Sequence, residues 1–277
     1  MKELFLFYQK YKTPLLNLQN FAFVVYLVTY LLLLRVRSLK LSKSWFMPLF
    51  AMYFGSCLGT LFSIFLNGTD SKIMPYDTFF SVIIDVFNPA SAKGKVMYGG
   101  YLGSIFGIWF ANFIFRRKSL SEYLDISAIA SSLFFAIWRV GCFFNGCCYG
   151  IPSETFGVSF LRRSNAFRRL KGTALVTGDV TVPLLPTQII SAVYGLTVFL
   201  LLLFLYRRHK TRYPYFYFFA QVFLYGVGRF TIEFLRIDPR EFWGPLSMSQ
   251  WISLVLIAVS LVFFIKNRKG IAESFKK

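Results

Sequence analysis

The chain has 277 residues, 56% of them hydrophobic, and a mean hydropathy of +0.55, which excludes an ordinary soluble globular protein. Its formal net charge of +19 does not point to nucleic acid. No basic run interleaves with a recognised binding motif, and the cations gather at the ends of apolar segments, where anionic headgroups lie.

Seven segments approach or reach the roughly 20 apolar residues that a helix needs to cross a bilayer core. They are 15–34, 45–66, 96–115, 126–144, 189–206, 214–235 and 249–265. The expected fold is therefore an all-α integral membrane protein of about seven transmembrane helices, forming one polytopic membrane domain over residues 1–277. No signal-peptide cleavage pattern precedes the first span, so it is expected to stay in the mature chain. Segment 78–87 is too short to span. Seven spans place the termini on opposite sides. Loops 35–45, 116–124, 207–213 and the tail after Ile265 carry 16 Lys and Arg against 13 on the other side, where the longest loop has 44 residues. Long loops weigh little in this rule, so the N-terminus is expected outside the cytoplasm and the C-terminus inside it.

Along the chain, Gly99, Gly103 and Gly107 in the third span stand four residues apart. That spacing puts them on one helix face and lets a neighbouring backbone approach closely; Gly55 and Gly59 in the second span read the same way. Between spans four and five, residues 150–188 mix turn residues with strand-like runs such as "ALVTGDVTV". This segment is expected to be a small extracytoplasmic head, either a flap over a site or a solvated connector. Its cluster Arg162, Arg163, Arg168, Arg169 and Lys171 reads as a solvated face in preference to a site for anionic lipid heads at the outer surface.

Ionisable residues inside spans cost at least about 2.5 to 3.5 kcal/mol each, so each needs a reason. Arg139 lies in the fourth span, and Arg229 and Glu233 in the sixth. At about 1.5 Å per residue both arginines sit roughly 20 Å from the inner edge, at a shared depth in the outer leaflet. Glu233 follows Arg229 by four residues and can pair with it or with Arg139. Arg236 falls at the outer boundary, where snorkelling accounts for it. One acid against two arginines leaves positive charge in a low-dielectric region, and the abundant anion at that depth is a phospholipid phosphate.

Cys142, Cys147 and Cys148 are spaced C-x4-C-C, with Cys57 distant. Zinc favours paired C-x2-C or histidine partners, and neither is present. Small packed cysteines, a local disulfide, and a catalytic thiol or metal all remain open. His209, the single histidine, lies in a basic loop on the cytoplasmic side and reads as solvated.

"WRVGCFFNGCCYG", residues 138–150, is similar to the G-R-x-G-N-F-x-N-G-E-x-x-G signature of prolipoprotein diacylglyceryl transferases, bacterial membrane enzymes of lipoprotein maturation. "YGVGRFTIEFLR", 225–236, resembles that family's Y-x-x-x-R-F-x-x-E-x-x-R helix. "MYGGYLG" is similar to its H-G-G-x-x-G, and "LPTQ" and "LSMSQ" lend further support. The resemblance implies transfer of an sn-1,2-diacylglyceryl group from phosphatidylglycerol to the lipobox cysteine thiol, in the signal-peptide region of a preprolipoprotein, with glycerol phosphate released. It implies a catalytic set of Arg139, Arg229, Glu233 and Tyr98, and substrate-binding Gly99, Gly100, Asn145, Gly150, Tyr225 and Arg236. No cofactor or metal is expected, and the setting is the bacterial cytoplasmic membrane. Three positions depart: Tyr98 stands for the family histidine, Cys142 for an asparagine and Cys147 for the glutamate. They leave room for a different acceptor, lipid or glycan, or for a lipid-binding protein without catalysis.

Overall fold

The computed structural model describes residues 18–36, 44–67, 83–84, 86–87, 97–116, 119–208, 213–238 and 242–276. His209 and the charged loop residues 37–43 lie outside the described residues. Among those described there are eight helices: α1 (Leu18–Val36), α2 (Met47–Asn67), α3 (Met97–Ile114), α4 (Leu120–Asn145), α5 (Asn165–Leu170), α6 (Thr187–Arg208), α7 (Phe216–Glu233) and α8 (Met248–Lys276). Every one of the seven expected spans holds one of them. By length and composition, Met47–Ile64 of α2 and the whole of α4, α6 and α8 are long and apolar enough to cross a membrane. Glycines and tyrosines dilute the apolar character of α3, and Gln221, Arg229 and Glu233 that of α7. α4 begins at Leu120, earlier than the apolar run, and carries Asp125 buried at 3% exposure.

The chain divides into two compact units. In the unit Leu27–Ser127, the glycine face of α3 packs on α2 as its spacing demands. Gly103 and Gly107 meet the backbone carbonyls of Phe54 and Phe50 so closely that no Cβ fits, and a Cβ on Gly55 would stand 2.9 Å from the Gly100 oxygen. Ser104 Oγ donates to the carbonyls of Ala51 (3.0 Å) and Gly100 (2.9 Å). Without a hydrophobic drive between helices in lipid, such backbone-to-backbone packing and hydrogen bonding is what holds a pair together.

The other unit comprises Met1–Tyr26 and Ala128–Lys277. Gly195 of α6 lies against Phe135 and Ala136 of α4, Gly228 of α7 against the Tyr194 ring of α6, and Gly226 of α7 against Ser253 and Ile257 of α8. Tyr194 donates its hydroxyl to the Leu224 carbonyl at 2.6 Å. Small residues therefore seat α7 between its neighbours.

The segment between α4 and α6 folds on its own core of Tyr149, Phe160, Ala166, Leu170 and Leu184, with Phe143 from α4. The "ALVTGDVTV" run forms a hairpin of β1 (Val176–Thr177) and β2 (Val180–Thr181), turning at Gly178 with φ 60°. Ser164 caps α5 by accepting from the Phe167 amide at 3.1 Å. Arg162 and Asp179 make an exposed ion pair at 3.4 Å, which contributes little. A second hairpin, β3 (Phe242–Trp243) with β4 (Leu246–Ser247), leads into α8.

Candidate active site

The signature segment is shaped by how α4 ends. Gly146 takes a left-handed conformation, φ 67°. Its amide donates to Phe143 O at 3.0 Å, and the Cys147 amide to Cys142 O at 3.2 Å. These two bonds are a Schellman cap, which sets side by side the residues at its two ends. Here those residues are Cys142 and Cys147. Cys148 is also left-handed, φ 60°, a conformation uncommon for residues other than glycine. From the start of α6, Thr187 Oγ1 donates to Cys148 O and Gln188 Nε2 to Cys147 O at 2.7 Å. "LPTQ" thus clamps the cysteine loop. None of the four cysteines forms a disulfide, and the Sγ atoms of Cys142, Cys147 and Cys148 lie within 4.8 Å of one another. The Cys148 thiol is held well below the usual range by hydrogen bonds from Cys142 and Cys147, with Arg236 and Arg139 adding to the effect.

Two residues on, Gly150 pairs in an antiparallel bridge with Arg236. Its amide donates to Leu185 O at 2.9 Å, the Ile151 amide to Leu235 O at 3.0 Å and the Ile237 amide to Tyr149 O at 3.4 Å. A Cβ at Gly150 would stand 2.7 Å from Leu235 O and 2.8 Å from Leu185 O. The glycine is thus where the loops after α4 and α7 and the lead into α6 join.

The charged groups gather beside this joint. Glu233, 2% exposed, takes Arg229 Nη1 at 2.6 Å and Arg236 Nη1 at 3.2 Å, and accepts from Ser247 Oγ at 3.0 Å. Arg229 Nη2 donates to Ser249 Oγ at 3.0 Å. Arg236 does not snorkel. Its side chain is 8% exposed and grips Asp238 with both arms of its fork, Nε to Oδ1 at 2.8 Å and Nη2 to Oδ2 at 2.7 Å. The bridge to Gly150 ties the Arg236 backbone to the loop after α4. Burial alone would depress the Arg236 guanidinium, but Cys148, Asp238 and Glu233 push it up, so it stays a cation.

Arg139 differs. It is 6% exposed, and its guanidinium carbon stands 4.8 Å from the centre of the Phe135 ring, a cation–π contact. Among the described residues no carboxylate pairs with it, and its Nε is buried without a hydrogen-bond partner. Glu233 pairs with Arg229 and Arg236, and no ion pair joins it to Arg139. Three guanidinium groups and two carboxylates leave one positive charge over. Phe135 meets Tyr225 edge-on at 5.3 Å. Phe135, Tyr225 and Arg229 line one narrow cleft with Ser191, Tyr194, Gly228 and Ile232. Phe135 is thus a shared neighbour, under the Arg139 guanidinium and in the cleft that Arg229 lines. Gln188 Oε1 and Gln250 Nε2 are further buried polar atoms without partners among the described residues.

Behind the carboxylate, Ser247 and Gln250 form a capping box at the start of α8: Gln250 N donates to Ser247 Oγ at 3.2 Å and Ser247 N to Gln250 Oε1 at 2.9 Å. "LSMSQ" is thus a helix start whose two serines also orient Glu233 and Arg229.

Arg139, Asn145, Gly150, Tyr225, Arg229, Glu233 and Arg236 all lie in the second unit, and Tyr98, Gly99 and Gly100 in the first. Tyr98 is half-buried in the first turn of α3; a Cβ on Gly99 would meet Leu58 O at 2.5 Å, so the glycine serves helix packing. Asn145 ends α4 and its carbonyl accepts from Asn165 Nδ2 at 3.0 Å. Sequence reasoning missed Asp238, and noted Thr187 and Gln188 only within "LPTQ", without a role in the site. Asp238 could have been found as the acid two residues beyond a boundary arginine.

Long apolar helices together with a cluster of buried arginines define an all-helical membrane protein with charge held inside it. The model of the prolipoprotein diacylglyceryl transferase family matches residues 15–266. The chain is 32% identical over 187 residues to phosphatidylglycerol–prolipoprotein diacylglyceryl transferase 2 of Clostridium perfringens, covering 67% of each chain. It is 31% identical over 195 residues to the transferase of Clostridium tetani, covering 66% of this chain and 71% of that one. With the enzyme of Dehalococcoides mccartyi it shares 31% over 189 residues, 67% and 66% respectively. The aligned segments thus span about two thirds of these relatives. The chain belongs to the prolipoprotein diacylglyceryl transferase family.

Proposed function

We propose that the protein is a phosphatidylglycerol–prolipoprotein diacylglyceryl transferase of the bacterial cell membrane. It moves the sn-1,2-diacylglyceryl group of phosphatidylglycerol to the lipobox cysteine thiol, in the signal-peptide region of a preprolipoprotein. Seven helices cross the membrane, with the N-terminus outside the cytoplasm and the C-terminus inside; the segment 150–188 is an extracytoplasmic head. The observation that carries the reading is Arg139, a buried guanidinium with an orphan donor and no carboxylate, in a cluster with surplus positive charge.

The chemistry follows from that surplus. The acceptor sulfur attacks the glyceryl carbon that bears the phosphate ester, the carbon–oxygen bond breaks, and the departing glycerol phosphate gains a charge. Arg139 and Arg229 hold the phosphate as fixed cations in a water-poor site, where they are worth more than in bulk water. Glu233 orients Arg229, and Asp238 with Glu233 fixes Arg236. Tyr225 walls the cleft. Tyr98 stands where the family has an imidazole, and a phenol offers no basic nitrogen to take the thiol proton.

The test is purified protein with labelled phosphatidylglycerol and a lipobox peptide. Labelled peptide and free glycerol phosphate in equal amounts are expected. Glycerol phosphate without labelled peptide would refute the acceptor, and neither product would refute the transferase. Tyr98→His is expected to raise transfer if proton removal limits the rate.

A further inference from the structure

Three thiols sit in a cradle that the transfer chemistry above does not use. Cys142 and Cys147 occupy the two positions that a Schellman cap brings into contact, and they are two of the three places where this chain departs from its family's signature. Cys148, left-handed at φ 60°, turns its sulfur back onto them. Thr187 and Gln188 pin the carbonyls beneath, so the backbone is set before any ligand arrives.

The three Sγ atoms lie within 4.8 Å of one another. A tetrahedral zinc ion with Zn–S bonds of about 2.3 Å spaces its sulfurs at roughly 3.8 Å, so small side-chain rotations close the set on such an ion. Among the described residues no histidine or carboxylate joins the group. Three protein ligands and one free position is the count of a catalytic zinc site, whereas a structural site is closed by four. Sulfur ligation selects soft ions. A divalent ion with three thiolates bears one negative charge, and Arg139 and Arg236 stand within electrostatic reach of Cys148 to offset it. A disulfide would join two of these sulfurs and leave the third unexplained.

We propose that Cys142, Cys147 and Cys148 hold one zinc-class ion and that its free position takes the acceptor thiol as a thiolate. The second half rests on the transferase reading. The acceptor thiol loses its proton to water on binding the ion, because coordination deprotonates a thiol outright. Its sulfur lone pair then forms the new carbon–sulfur bond as the carbon–oxygen bond to phosphate breaks. Glycerol phosphate leaves with the electron pair, and no oxidant or reductant takes part. Such a site supplies the proton removal that Tyr98 serves poorly.

The full chain, purified in detergent under reducing conditions, is assayed for zinc, then stripped and refilled with cobalt(II). About one zinc per chain is expected, and a thiolate-to-cobalt charge-transfer band of a four-coordinate site. The band shifts when a lipobox cysteine peptide is added and stays put with its serine counterpart. Replacing all three cysteines by serine abolishes the band. If that variant fails to fold, Cys147→Ser alone weakens the band by about a third, one sulfur of three being lost. No bound ion, or a Cys142–Cys147 disulfide in protein kept reduced, overturns the site. A cobalt spectrum indifferent to the cysteine peptide overturns the acceptor role. Full transfer by stripped protein overturns that role while the transferase reading stands. Ion and peptide binding without transfer supports the site and removes the transferase reading.

Discussion

Replacing Arg139 with Met is expected to change the stability of the fold little while it removes donor binding. The guanidinium is 6% exposed, lacks a carboxylate and keeps an orphan Nε. Exchanging buried ionic groups for apolar ones of similar volume is often neutral or stabilising by about 1–4 kcal/mol. The lost contact with Phe135 takes back about 2 kcal/mol, leaving a net change between roughly 1 kcal/mol of loss and 2 kcal/mol of gain. At roughly 2–4 °C per kcal/mol the melting temperature should lie between about 4 °C below and about 8 °C above that of the wild type. Binding moves the other way. Two charge-assisted hydrogen bonds to phosphate at about 1.5–3 kcal/mol each amount to a loss of at least about a hundredfold in affinity. The assay is thermal unfolding in detergent, with and without phosphatidylglycerol. The wild-type protein should gain stability from the lipid by mass action, and Arg139→Met should start close to the lipid-free wild type and gain almost nothing. A variant that melts several degrees lower yet keeps the full lipid-dependent gain would refute the reasoning.

Glu233→Gln keeps the shape but leaves Arg229 without an ionic partner and Arg236 with Asp238 alone. Breaking a buried pair costs about 3–5 kcal/mol, so a marked fall in melting temperature is expected, and an unchanged one would contradict the pairing. Gly150→Ala drives a Cβ to 2.7 Å from Leu235 O and 2.8 Å from Leu185 O; a loss of about 1–3 kcal/mol is expected, read as a reduced folded fraction in gel filtration. Ser247→Ala removes both an N-cap acceptor and a hydroxyl donor to Glu233. It should cost about 1–2 kcal/mol in the melt and lower the transfer rate as well, because Glu233 then holds Arg229 less firmly.

Much of the site was legible because charge inside apolar segments is conspicuous: Arg139, Arg229 and Glu233 could be picked out, and the i to i+4 spacing paired the last two. Arg236 was not legible as a buried residue. Its place at the end of an apolar run resembles a membrane boundary, and the bridge to Gly150 that ties its backbone links residues 86 apart in the chain. The glycine face of α3 and the hairpin at Gly178 followed from local spacing and turn chemistry. The sulfur cluster did not, because C-x4-C-C is no familiar ligand spacing. Its closeness comes from a helix cap and a left-handed residue, and from clamps reaching in from α6.

The seam between Gly150 and Arg236 ties together the stretch that bears the thiols and the stretch that bears Arg229, Glu233 and Arg236. On the proposed reading, donor and acceptor would thus be held by two stretches with a common backbone anchor, and a disturbance at Gly150 should weaken lipid binding and cobalt binding together.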